Sequence, residues 1–215
     1  MSVRRLEIPF LETEDTQKVE KLNQLMDHLR AIPIDCNPWP AYQANVQAKF
    51  TMAHNGQAIL LKYIITEKYL AANEVTNGNI HNDSCVELFI AFDDWGYYNL
   101  EFNCLGFTKI GYGADRNNRK LLPIEVIRQL SFSSRINANS TLNGNDGFDW
   151  EIMLVIPKEI FMVHQLDSFH HLKAKGNFYK CGDGLPQPHF LTWNMIEAEQ
   201  PDFHRKDFFG ELAFS

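Results

Sequence analysis

Glu87, Glu101 and Asn103 are the residues of this chain best placed to do chemistry. Glu87 lies in the run CVELFIAF (85–92), and Glu101 and Asn103 lie in YYNLEFNC (97–104). Each run alternates with period two, as half-buried strands do. Val86, Leu88, Ile90 and Phe92 share one face, as do Tyr98, Leu100, Phe102 and Cys104. Asp93-Asp94-Trp95-Gly96 between the runs is turn-forming, so a hairpin is expected. Both apolar sets must face the core, because a one-residue slip would turn every side chain over. The most compact register pairs Phe92 with Tyr98, Leu88 with Phe102 and Glu87 with Asn103, with Glu101 diagonal to Glu87. One face of the hairpin is then apolar, and the other holds two carboxylates and an amide. Cys85 and Phe89 flank Glu87 on that second face, where a solvated surface would carry Lys, Thr and Ser.

Two chemistries fit such a face. Carboxylates about 5–9.5 Å apart serve as the acid and the nucleophile or base of a glycoside hydrolase, and Glu87 with Glu101 would be that pair. Alternatively, carboxylates and an amide hydrogen-bond the hydroxyls of a saccharide or polyol while aromatic rings stack on it, an apolar surface with few placed polar groups. Candidate rings are Trp95 and Tyr97 at the hairpin loop, Trp193 in a late strand and Phe203 in the last loop. Trp150 is in phase with Phe148 and Ile152, and Trp39 sits between prolines, so both read as packing residues. The sequence contains no nucleophile elbow, zincin helix, phosphate-binding loop or dinucleotide fingerprint.

The composition narrows the setting. The chain has 215 residues and a formal net charge of −7, without a Lys/Arg run. Nucleic acid and anionic membranes are therefore excluded as expected partners. Aromatics reach 13%, which favours strands and stacking surfaces. Cys36, Cys85, Cys104 and Cys181 lack C-x-x-C spacing, and the register puts Cys85 and Cys104 on opposite faces, so free buried thiols are expected. The N-terminal MSVRRLEIPFLETED is too poor in apolar residues for a signal peptide, which points to the cytoplasm. A trimmed leader would instead place the protein in the periplasm or outside the cell. No run approaches the roughly 20 apolar residues of a membrane span.

The elements that must hold the hairpin follow in order. Val3 to Phe10 reads as an edge segment. Asp15 to Ile32 carries Val19, Leu22, Leu25, Met26 and Leu29 on one helical face, capped by Thr13 or Asp15, stopped by Pro33 and packed on the sheet edge. Asn45–Met52 alternates, His54-Asn55-Gly56-Gln57 is a hairpin turn, and Ala58–Thr66 is a buried strand ending at Glu67. Leu105–Tyr112 continues the sheet. Leu121–Leu130 reads as a short helical piece, Asn137–Gly147 as a polar loop, Phe148–Ile156 as a strand, and Pro157 as the start of a helical turn. Asn177–Gly182, His189–Asn194 and Phe209–Phe214 complete about nine strands. With no βαβ alternation, this is an all-β sandwich of two antiparallel sheets with a short N-terminal helix, in a single domain over residues 1–215.

The order of several stretches resembles family 9 carbohydrate-binding modules. Asp83-Ser84-Cys85-Val86-Glu87-Leu88-Phe89 resembles that family's D-S-V-E-hydrophobic-Phe strand. Tyr97 to Asn103, followed by Gly106, resembles its next strand, and Trp193 … Phe209-Gly210-Glu211-Leu212 its closing pattern. Asn177-Phe178-Tyr179-Lys180-Cys181-Gly182-Asp183 and Pro201-Asp202-Phe203-His204 are similar to a bacterial, Bacteroides-type group of family 9-like modules. The resemblance implies a non-catalytic glycan-binding module rather than an enzyme. It implies sugar contacts for Glu87 and Asn103, and puts Glu67 at a family aspartate. It puts His81 near one sugar-clamping tryptophan and Phe203 at the other, and Glu101 at a family arginine. Lys180 and Asp183 would border the site. Family members can hold structural calcium, for which Asp93, Asp94 and Asp183 are the donors on offer. The same sandwich superfamily includes haem-binding redox domains with Met and His or Lys axial ligands, for which Met52, Met153 and Met195 would be the methionines.

Overall fold

The computed structural model of the chain describes residues 3–13, 16, 18–142 and 145–215. The elements in order are β1 (Arg5–Ile8), α1 (Val19–Met26), β2 (Ile32–Pro33), β3 (Val46–His54), β4 (Ala58–Glu67), β5 (Cys85–Ala91), β6 (Tyr97–Asn103), β7 (Thr108–Gly113) and β8 (Arg119–Leu121). They continue with α2 (Ile124–Ile127), β9 (Ser131–Leu142), β10 (Asn145–Pro157), β11 (Lys173–Cys181), β12 (Phe190–Thr192) and β13 (Gly210–Phe214). One sheet runs β1-β13-β11-β5-β6-β7-β8, with β12 also paired to β11, and the other runs β2-β3-β4-β10-β9. All pairs are antiparallel except β1 with β13, which is parallel.

The two sheets meet on the faces that the alternation marks. Val86, Leu88 and Ile90 of β5, Tyr98, Leu100 and Phe102 of β6, and Phe178 of β11 pack against Phe50, Leu61, Tyr63, Trp150, Ile152 and Leu154 of the smaller sheet. Phe50 lies flat on Phe178, with ring centroids 3.7 Å apart and 17° between planes. Trp150 and Trp39 are both buried packing residues, as expected. Met52 and Met153 are apolar core residues in two separate clusters.

The outer face of the larger sheet is buried as well at its centre. Cys85, Phe89, Tyr97, Tyr179 and Cys181 form a second cluster with Trp39, Ile80, Ile196, Phe203 and Phe209. Every residue of β5 and β6 is buried as a result. This second layer is the physical reason for the apolar company of Glu87.

Several expectations need correction. The helix covers Val19–Met26, ending well short of Pro33. Pro33 instead lies in β2, paired with Lys49 at the sheet edge where its missing N–H costs nothing. The helix lies on the outer face of the smaller sheet rather than on its edge: Leu22 and Met26 pack on Ala53, Leu60, Met153 and Val155. The helix N-cap is Lys18, with no side-chain cap, so Thr13, one of the two expected caps, lies well before the helix; Asp15, the other, is outside the described residues. The polar stretch 137–147 is not a long loop, because β9 runs to Leu142 and β10 starts at Asn145. Backbone pairing carries that extension, which side-chain polarity does not reveal. Among the described residues, no helix is long and apolar enough to cross a membrane.

Candidate functional site

The register of β5 and β6 differs from the compact solution by two residues. Glu87 lies directly opposite Glu101, Cys85 opposite Asn103, Leu88 opposite Leu100 and Ile90 opposite Tyr98. The cause is the turn. Asp93 Oδ1 accepts hydrogen bonds from the Trp95 and Gly96 N–H groups at 2.8 and 3.3 Å, so the return strand starts at Tyr97. Because the shift is even, no side chain changes face. The two carboxylates become direct cross-strand neighbours, a destabilising pairing unless something compensates it.

Compensation comes from the hairpin itself and from beyond it. Glu101 Oε1 accepts from Asn99 Nδ2 at 2.8 Å and lies 3.8 Å from Arg119 Nη1. Its Oε2 lies 3.7 Å from His81 Nδ1 and, though buried, has no hydrogen-bond partner. Arg119 reaches this point from β8 because Gly111 and Gly113 leave the outer face of β7 bare beyond Lys109, which pairs with Glu101 in the ladder; a Cβ on Gly113 would collide with Arg119 itself. Arg119 thus brings a cation to Glu101 from a neighbouring strand.

Glu87 has weaker partners. Its Oε1 accepts from Cys181 Sγ at 3.2 Å, with Cys85 Sγ at 3.9 Å. Burial, and then the neighbouring Glu101 charge, push the Glu87 carboxyl well above the usual carboxylate range. The neighbouring Glu101 carboxylate raises His81 against the opposing effect of burial. Burial also raises Asp183. His204 is driven down to about 3, by burial and then by Arg119. Arg119 Nη1 can only donate, so His204 Nε2 accepts it at 3.2 Å, and the ring proton belongs on Nδ1, 2.7 Å from Tyr97 Oη.

These groups line one cleft of about 80 Å³. Of the residues that the sequence singled out, His81, Glu87, Glu101, Asp183 and Phe203 meet there. Phe203 is stacked on Tyr179, centroids 4.2 Å apart and planes 11° from parallel. Arg116, Arg119, Cys181, Asp202 and His204 complete the polar wall. Sequence reasoning missed these; the glycines at 111 and 113, facing the carboxylate strand, were the one available signal for Arg119.

Six other residues singled out lie elsewhere, among them Tyr97, which is buried against Phe89 and Phe209. Asn103 is fully buried and structural: its Nδ2 donates to Asp83 Oδ2 at 2.9 Å, and its Oδ1 accepts from the Leu105 and Phe107 N–H groups. Trp193 is core, edge-on to Phe50 and Phe178. Trp95 stands exposed at the hairpin tip, away from the cleft lining. Glu67 and Lys180 point between the sheets, an even number of residues from the core positions Ile65 and Phe178. There Lys180 Nζ lies 2.9 Å from Glu67 Oε2, donates to Cys181 O at 2.8 Å and meets His189 Nε2 at 2.9 Å. Trp150 Nε1 donates to Glu67 Oε1 at 2.6 Å.

The calcium donors named from the sequence do not converge. Asp93 is engaged by its own turn and by His164, and Asp94 is at the hairpin tip beside Lys175. Asp183 lies in the cleft. Among the described residues, the one group of three metal-ligating side chains is Cys85, Glu87 and Cys181.

Comparison with known proteins gives the following. Residues 20–214 match the sequence model of carbohydrate-binding family 9. No curated protein matches the chain by sequence. Among solved structures, a candidate carbohydrate-binding protein from Bacteroides uniformis is 35% identical, with a TM-score of 0.89 and all of both chains covered. A family 9 carbohydrate binding module from Caldicellulosiruptor kristjanssonii, solved with cellotriose, is 12% identical; its TM-score is 0.59, over 98% of this chain and 93% of that one. The same module with glucose gives 12% identity and a TM-score of 0.58, over 99% and 96%. At that identity the likeness is one of fold.

Proposed function

Because the chain belongs to carbohydrate-binding family 9, we propose that the cleft beside β5 and β6 is where it takes a glycan. The observation that carries this reading is the buried, unpartnered Glu101 Oε2 at the cleft wall, with His81 and Arg119 within 4 Å of the same carboxylate. An acceptor and two donors so placed match a pair of adjacent sugar hydroxyls, each of which both gives and takes a hydrogen bond. Glu87, whose carboxyl burial pushes well above the usual range, adds a second carboxyl group to the wall. Phe203, fixed by Tyr179, offers the apolar contact for a sugar C–H face.

The cleft's size constrains what enters. About 80 Å³ is far below the roughly 300–1,000 Å³ of sites that engulf a ligand. It seats the hydroxyl edge of one terminal unit, leaving the rest of the glycan in solvent.

The reading is of recognition without catalysis. Glu87 and Glu101 occupy one rung of a β-ladder, side by side on one wall. A glycosidase needs its two carboxyl groups on either side of the scissile bond. Calorimetry against a panel of mono- and oligosaccharides tests this reading. Saturable binding is expected, lost in Glu101→Ala and Arg119→Ala, with no turnover of chromogenic glycosides. Binding that survives both substitutions would remove the cleft assignment, and turnover abolished by Glu87→Gln would replace recognition with hydrolysis.

A further inference from the structure

Behind the sugar-facing wall, β5 and β11 place Cys85 and Cys181 directly opposite each other. Glu87, two residues along β5, points the same way. We propose that Cys85, Cys181 and Glu87 form a binding site for a thiophilic divalent cation of the zinc class, with the fourth coordination position open to the cleft. This does not rest on the glycan reading.

Geometry carries the argument. Cys85 Sγ, Cys181 Sγ and a Glu87 carboxylate oxygen all lie within 4.8 Å of one another, and all three residues are buried. The sulfur-to-oxygen separations are 3.2 Å for Cys181 and 3.9 Å for Cys85. A tetrahedral zinc ion with bonds of about 2.3 Å to sulfur and about 2.0 Å to oxygen needs S···O edges of about 3.5 Å. The two observed edges bracket that length, so small side-chain rotations suffice. Soft thiolates select zinc-class ions over calcium or magnesium, which prefer all-oxygen shells.

Access and charge agree. Glu87 and Cys181 both line the cleft, which gives the ion a path, while Cys85 forms the back of the site. The rest of the site is enclosed by the β5–β11 ladder and the layer carrying Ile80, Tyr179 and Phe203. Asp183 and His81 line the same cleft, on the open side. Thiol and carboxyl ligands lose their protons when they bind a metal, and burial raises all three here. Binding therefore exchanges protons for the ion: M²⁺ + 2 RSH + RCOOH gives [M(SR)₂(O₂CR)]⁻ + 3 H⁺. The single negative charge left lies on the same wall as Arg119 and His81. Proton release makes the affinity rise with pH.

The test titrates cobalt(II) into the full chain, kept reduced with a non-thiol phosphine under anaerobic conditions. A thiolate-to-cobalt charge-transfer band should grow to one equivalent and be bleached by zinc. It should vanish in Cys85→Ser and in Cys181→Ser. Cys36→Ser and Cys104→Ser, whose thiols lie outside the cluster, should retain it. Glu87→Gln should weaken binding by roughly 10-fold or more, since even outer-shell losses reach that size. In the unsubstituted protein loaded with one equivalent of zinc, X-ray absorption should show two sulfur neighbours at about 2.3 Å, so the result does not depend on any variant folding. No band at excess cobalt, a band that persists without Cys85 and Cys181, or a zinc shell without two sulfurs would each overturn the proposal.

Discussion

Replacing Glu67 by Gln should destabilise the protein severely and leave glycan affinity intact. Lys180 and Glu67 are almost wholly excluded from solvent, at 0% and 1% side-chain exposure, with Nζ 2.9 Å from Oε2. The lysine directs its N–H bonds at Cys181 O and His189 Nε2, so its contact with Glu67 is an attraction between charges. At an effective dielectric of ~20 that attraction is about 6 kcal/mol. Glutamine keeps an acceptor for the Trp150 indole and removes only the charge. Part of the loss is offset because Lys180 retains its two other acceptors, so the net cost should be about 3–5 kcal/mol, as for other broken buried pairs. For a chain of this size that is a fall in Tm of roughly 6–20 °C. Urea unfolding followed by circular dichroism measures it. Glu67→Met combined with Lys180→Met should recover most of the loss, because an apolar pair of similar volume carries no desolvation cost. A loss below about 1 kcal/mol in Glu67→Gln, or a loss of glycan binding with Tm unchanged, would refute the reasoning and return Glu67 to the binding surface.

Glu87→Gln probes the opposite situation, a buried acid with no counter-ion. Its carboxyl is raised above the ordinary value of 4.5, so the stability linked to the bound proton is fully present below that value and declines as pH rises through the folded-state pKa. Thermal unfolding across pH should show the Glu87→Gln variant overtaking the unsubstituted protein at neutral and alkaline pH; parallel curves would show that Glu87 does not hold its proton. At the cleft rim, Phe203→Leu keeps apolar bulk but loses the stack on Tyr179. Calorimetry should show glycan affinity falling about 2- to 10-fold, the worth of one aromatic contact, and an unchanged affinity would remove Phe203 from the site.

The faces of the strands were determined by the sequence alone. Val86, Leu88 and Ile90 against Glu87 and Phe89 could alternate only one way around a core, and an error of two residues in register left every side chain on its correct side. The presence of Cys85 and Phe89 beside Glu87 also announced that the polar face was covered. Tertiary structure decided which carboxylates meet and what balances them. The Asp93 turn set Glu87 against Glu101, and bare Gly111 and Gly113 let Arg119 arrive from β8. A charged residue in a strand carries no mark of which buried layer it serves. Glu67 and Lys180 therefore read as site residues and proved to be partners between the sheets. Asn103 read as a sugar ligand and proved to be the anchor of the loop through Asp83. Those outcomes depend on contacts between positions distant in the chain, and folding, not local pattern, brings them within reach.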